Sequence, residues 1–188
     1  MSDPTALAAP IAGLRQCTRY ITSHDDSARS IFLATPELFY HERYANRLAR
    51  AYSLPRVPAP LEQDADLKLY HTPDDGTEAT ACSYQVNKVA ISGGVNCVYL
   101  DLGPGSQSPM HRTVTVDLVV VIEGEIELEL DSGEKKTLYQ GDSVVQRGTM
   151  HRWRNSSTTK PARFLAVLVS AEKSFIGGKE LQQEYLPN

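Results

Sequence analysis

Hydrophobic positions change their spacing along the chain, and the change falls near Lys88. Beyond it, apolar side chains recur at every second position, the period at which one face of a β-strand meets a core. The clearest case is residues 125–130, where Ile126, Leu128 and Leu130 alternate with Glu125, Glu127 and Glu129. That alternation predicts a half-buried strand whose three glutamates face solvent. Residues 95–100, 114–122, 136–139, 143–146, 151–154 and 163–170 read as further strands. Gly103-Pro104-Gly105, Gly124 and Asp131–Glu134 punctuate them as turns. Many short strands with regular turn signals predict an all-β sandwich or barrel.

The first half follows another pattern. Apolar runs at 17–22 and 30–33 flank the polar stretch Ser23–Ser27, which predicts a hairpin. In residues 37–52, Tyr40, Tyr44, Leu48 and Ala51 fall at helical spacing with Arg43, Arg47 and Arg50 elsewhere on the wheel, which predicts a short amphipathic helix. The Pro-rich stretch 53–64 is expected to be extended or irregular, and 72–87 a surface loop. The Ala/Pro-rich residues 1–14 read as an arm, free or packed on a partner, and the tail GGKELQQEYLPN as a C-terminal helix. At 188 residues the chain fits one domain: an N-terminal portion 1–87 packed on a barrel of residues 88–170, then a helical tail 171–188.

Composition narrows the function classes. The net charge is −4 and Lys135-Lys136 is the longest basic run, so no phosphate-binding stripe points to nucleic acid. No window approaches the roughly 20 apolar residues of a membrane span. Three scattered cysteines, Cys17, Cys82 and Cys97, form no CxxC pair and suit a reducing compartment. With no basic, apolar leader at the N-terminus, the expectation is a cytoplasmic protein.

Candidate chemistry lies in the strands. His111, Thr113, Thr115 and Asp117 share one parity, and His151 and Trp153 share another on a later strand. Inward polar side chains of a small barrel meet, because its interior is narrow. Two histidines and a carboxylate then make either a metal centre or an acid/base pair. Candidate substrate contacts are Thr113, Thr115, Tyr99, Arg147 and Trp153. The plainer roles are core packing for Tyr99 and Trp153, a rim position for Arg147, and for Asp117 a partner that fixes His111 or pairs with Arg112, Arg147 or Arg152.

Two stretches resemble the cupin superfamily. Gly105-(five residues)-His111-Arg112-Thr113-(three)-Asp117-(six)-Gly124 is similar to the first cupin motif, G-x5-H-x-H-x3,4-E-x6-G. Gly141 through Gly148, His151 and Asn155 resemble the second, G-x5-P-x-G-x2-H-x3-N, shortened by one residue, with 16 residues between the motifs. The resemblance covers residues 88–170 and implies a single jelly-roll barrel with short peripheral helices, and a homodimer. It also implies one divalent metal (Fe, Mn or Zn) on His111, Asp117 and His151. The chain departs from the motif twice: Thr113 stands at the second histidine, and Asp117 at the glutamate. The loss of one ligand, with two histidines and a carboxylate kept, favours proton-transfer catalysis. The reaction class is decarboxylation, dehydration, isomerisation or cyclisation of an enolisable polyketide-like or aromatic acid, as in cupins that tailor natural products. An Fe(II)-dependent dioxygenase and a non-catalytic metabolite binder are the alternatives.

Overall fold

The alternating segments of the second half are strands in the computed structural model, which describes residues 9–186. Strands β1 (Ile21–His24) and β2 (Ser30–Leu33) form the expected hairpin, apart from the main sheets. Then follow β3 (Tyr40–Arg43), β4 (Asn46–Leu54), helix α1 (Ala65–His71) and β5 (Val95–Leu102). The C-terminal half supplies β6 (His111–Arg112), β7 (Thr115–Glu123), β8 (Ile126–Leu130), β9 (Lys135–Leu138), β10 (Ser143–Arg147), β11 (His151–Arg154) and β12 (Ala162–Ser170). Three short strands end the chain: β13 (Phe175–Ile176), β14 (Lys179–Glu180) and β15 (Glu184–Tyr185). No helix among the described residues is long and apolar enough to cross a membrane.

Two antiparallel sheets face each other. One has six strands in the order β10-β7-β12-β5-β4-β3, the other five in the order β15-β6-β11-β8-β9. Their inner faces share one core: Leu48, Val98, Leu102, Val119, Val121, Phe164, Ala166 and Leu168 meet Ile126, Leu128, Leu138 and Trp153. Each such large apolar side chain stabilises the fold by roughly 1.5–3 kcal/mol on burial.

Two expected helices are strands. The segment 37–52 is a hairpin in which Arg43 pairs with Asn46 around Tyr44-Ala45, and β4 then pairs with β5. The first central residue of that turn, Tyr44, has φ 57°, a position that usually carries glycine. The C-terminal tail is likewise no helix. Gly177 and Gly178 both have positive φ and close β13 on β14, and β15 adds to the edge of β6. The loop 72–87 is only partly a surface loop, because Thr80, Cys82, Ser83 and Val86 are buried. Arg50 holds it down, donating to the carbonyls of Ala81, Ser83 and Lys88.

The described part of the N-terminal arm packs on the chain itself, whereas residues 1–8 of the expected arm lie outside the described residues. Cys17, Leu38, Tyr40 and Ala49 form a second cluster on the outer face of the six-stranded sheet. A buried ion pair sits beneath it. Arg163 Nε donates to Asp101 Oδ1 at 2.6 Å and Nη2 to Oδ2 at 2.8 Å, while Nη1 reaches the Arg15 carbonyl at 2.7 Å.

Candidate active site

The inner faces enclose a cavity of about 510 Å³. Its walls are largely apolar, from Leu48, Val98, Leu100, Val119, Trp153 and Phe164. His111, Thr113, Asp117 and His151 also line it.

The two histidines come from neighbouring strands of the five-stranded sheet, where His111 pairs directly with His151. Their ring centroids lie 4.4 Å apart. Each ring is pinned the same way: His111 Nδ1 is 2.9 Å from the Pro109 carbonyl and His151 Nδ1 is 3.0 Å from that of Thr149. A carbonyl only accepts, so both rings carry their proton on Nδ1 and keep a basic Nε2 lone pair. Burial pushes His151 down to about 4, helped by the neighbouring His111 and opposed by the Thr149 carbonyl. Burial also lowers His111, with the Pro109 carbonyl opposing and the charge of Arg43 adding to the shift. At neutral pH both rings are therefore uncharged acceptors.

Asp117 enters from the other sheet, on β7. Its Oδ1 is buried without a hydrogen-bond partner among the described residues. Burial pushes the carboxyl up to about 6, against a smaller downward pull from the Thr115 hydroxyl. The site thus holds two neutral bases on one wall and a carboxyl that retains its proton unusually well on the other.

The remaining expected contacts divide. Thr113 and Trp153 line the cavity. Thr115 Oγ1 is bonded to Thr113 Oγ1 at 2.7 Å and lines an adjoining cavity instead. Tyr99 lies on the outer face, packed against the Cys17 cluster, because Val98 and Leu100 on either side take the inner face. Arg147 is exposed. The register that pairs Gln146 with Asp117 turns Gln146 inward and Arg147 outward. The first half and the tail supply further lining residues that sequence reasoning missed, chiefly Arg43, Asn46 and Tyr185. Tyr185 stacks on His111, with ring centroids 5.6 Å apart and planes 6° from parallel. The salt bridge of Glu184 to Arg112, at 2.8 Å, holds it there.

The residues do not fit the expected metal centre. No three His, Cys, Asp or Glu side chains among the described residues stand close enough to share a cation. The physical reason is placement: facing sheets sit about 10 Å apart, and Asp117 is a methylene shorter than the glutamate of the motif. Thr113, at the second histidine position, spends its hydroxyl on Thr115.

Residues 98–168 match the Cupin_2 cupin-domain family. Over 171 residues the chain is 41% identical to the oryzines biosynthesis cluster protein J of Aspergillus oryzae, covering 88% of this chain and 89% of that protein. It is 34% identical over 178 residues to the cupin-domain-containing oxidoreductase fogC of Aspergillus ruber, covering 92% and 82%. It is 36% identical over 175 residues to the phomopsin biosynthesis cluster protein C' of Diaporthe leptostromiformis, covering 89% and 86%. The relatives thus include proteins named for biosynthesis clusters, matched over 89% and 86% of their length.

Proposed function

The chain belongs to the cupin family, and on that premise we propose that it is an enzyme of natural-product biosynthesis that moves a proton on a small enolisable polyketide-like or aromatic molecule. One observation carries the reading: two neutral imidazoles of fixed tautomer face, across an apolar cavity, a carboxyl that burial raises to about 6. A substrate held between the two walls meets a base on one side and an acid on the other. The histidine pair takes a proton from the carbon next to a carbonyl. The electron pair moves onto the carbonyl oxygen, and Asp117 donates its proton, or a hydrogen bond, to the oxygen that becomes negative. Returning the proton at another carbon gives isomerisation, and closing the enol on a second carbonyl gives cyclisation. The apolar walls strengthen both contacts, because a bound substrate displaces the water that would compete for them.

The Aspergillus ruber relative is named an oxidoreductase, which favours a second reading in which the substrate is oxidised or reduced, with molecular oxygen as the oxidant of an iron-dependent cupin dioxygenase. One experiment separates the two. A panel of aromatic and linear β-keto compounds is incubated with the protein in D₂O under nitrogen, and deuterium entry next to the carbonyl is followed by NMR. The proton-transfer reading predicts exchange without oxygen, slowed about 10²–10⁴-fold in His151→Ala. Turnover that requires and consumes oxygen would contradict it.

A further inference from the structure

The cavity carries a positive charge that no acid among the described residues pairs with. Arg43 stands at the end of β3, half-buried on the cavity wall, and also lines the adjoining cavity of about 860 Å³ at whose junction Tyr185 lies. Its Nε donates to Asn87 Oδ1 and its Nη2 to the Asn87 carbonyl, both at 2.8 Å. Of the five N–H donors of a guanidinium, these bonds use two, and the end formed by Nη1 and Nη2 stays open.

The acids that share the wall are either paired elsewhere or make no ion pair with Arg43. Glu42 pairs with Arg47 at 2.8 Å. Asp117 stands on β7 and makes no ion pair with Arg43 among the described residues. His111 and His151 are neutral. Arg43 itself makes no ion pair among the described residues. A half-buried charge without a counter-ion is costly, and the cost is met when a ligand supplies the anion. An open guanidinium fork, oriented by Asn87, suits a planar carboxylate, which it grips through two parallel hydrogen bonds.

We propose that Arg43 is the anion-binding residue of this site, and that the substrate is a carboxylate whose acid group sits at the cavity mouth between Arg43 and Tyr185 while its apolar part reaches inward along Trp153 and Phe164. This rests on the cavity being a substrate site. It adds the residue that holds the substrate's acid group, and the direction of entry relative to the histidine pair.

The test uses the full chain and paired probes of equal shape: benzoate with benzamide, and 2-naphthoate with 2-naphthamide. Their affinities are measured by titration calorimetry at pH 7, and the indole N–H signal of Trp153, the single tryptophan, reports whether each probe occupies the cavity. At least one acid is expected to bind ten times more tightly than its amide. Arg43→Gln is expected to bring that ratio below two while leaving the affinity for the amide unchanged. Arg43→Lys keeps the charge but loses the fork, and should fall between. If no acid in the panel binds more tightly than its amide, or if Arg43→Gln keeps the preference, the proposal is overturned. Binding is read apart from turnover. A retained acid preference without deuterium exchange would overturn the catalytic reading and leave the anion site standing, and exchange without the preference would do the reverse.

Discussion

Asp117 sits on an apolar strand between Val116 and Leu118, one residue along from positions that face solvent. Its carboxyl is raised from 3.8 to about 6 in the folded protein. Between those pH values the native state holds a proton that the unfolded chain has released, so the stability it contributes is present at low pH and lost as pH rises through about 6. His151, lowered from 6.5 to about 4, has the opposite slope in nearly the same window: its contribution is present at high pH and lost as pH falls. The two slopes oppose each other in wild type, so the difference between variants is the informative quantity. Asp117→Asn should be more stable than wild type at about pH 8, by up to about 3 kcal/mol for a carboxyl raised that far by burial, and equally stable at about pH 3.5. Chemical unfolding at both values checks this. An equal effect at both would mean that the carboxyl is not desolvated. The same residue shows what is legible in the sequence. Strand parity turns His111, Thr113 and Asp117 toward the interior, because a β-strand has a period of two whatever surrounds it. Parity does not tell which sheet each side chain stands on, and the metal expectation depends on that distance.

Where elements differ from the sequence-based expectation, the causes are identifiable. The β3–β4 hairpin turns at Tyr44-Ala45, without the Asn-Gly or Asp-Gly pair that usually announces such a turn. The spacing of Tyr40, Tyr44 and Leu48 therefore looks helical, and Arg43 falls on the polar side of that wheel. The tail differs: Gly177-Gly178 is a hairpin signal in its own right, and the Lys and Glu that follow outweigh it. The strands from 95 to 170 are legible because alternation and glycine turns agree throughout. The buried Arg163–Asp101 pair joins elements that no local pattern connects: β12, β5 and, through the Arg15 carbonyl, the arm. Removing one partner leaves the other charged and desolvated, so Asp101→Asn should destabilise the fold by about 3–5 kcal/mol. The thermal midpoint should then fall by roughly 10 °C for a chain of this size. A change below about 1 kcal/mol would show that the pair merely breaks even with solvent.

Across the whole molecule, function depends on what the two sheets bring face to face. The five-stranded sheet carries the imidazole pair, the six-stranded sheet carries the carboxyl, and segments from both ends of the chain complete the mouth with Arg43 and Tyr185. The proposed chemistry stands on the histidines being neutral bases with their protons fixed on Nδ1, a state that can be measured without knowing the substrate. Nitrogen-15 NMR of the histidine side chains, titrated from about pH 8 to about pH 3.5 on full-length protein with His151→Ala as the assignment control, reads tautomer and charge directly. Both rings are expected to be protonated on Nδ1 alone at neutral pH, with His151 charging only near pH 4. A charged His151 at neutral pH, or a ring protonated on Nε2, would contradict this, because the cavity would then present a proton donor where the mechanism requires a base.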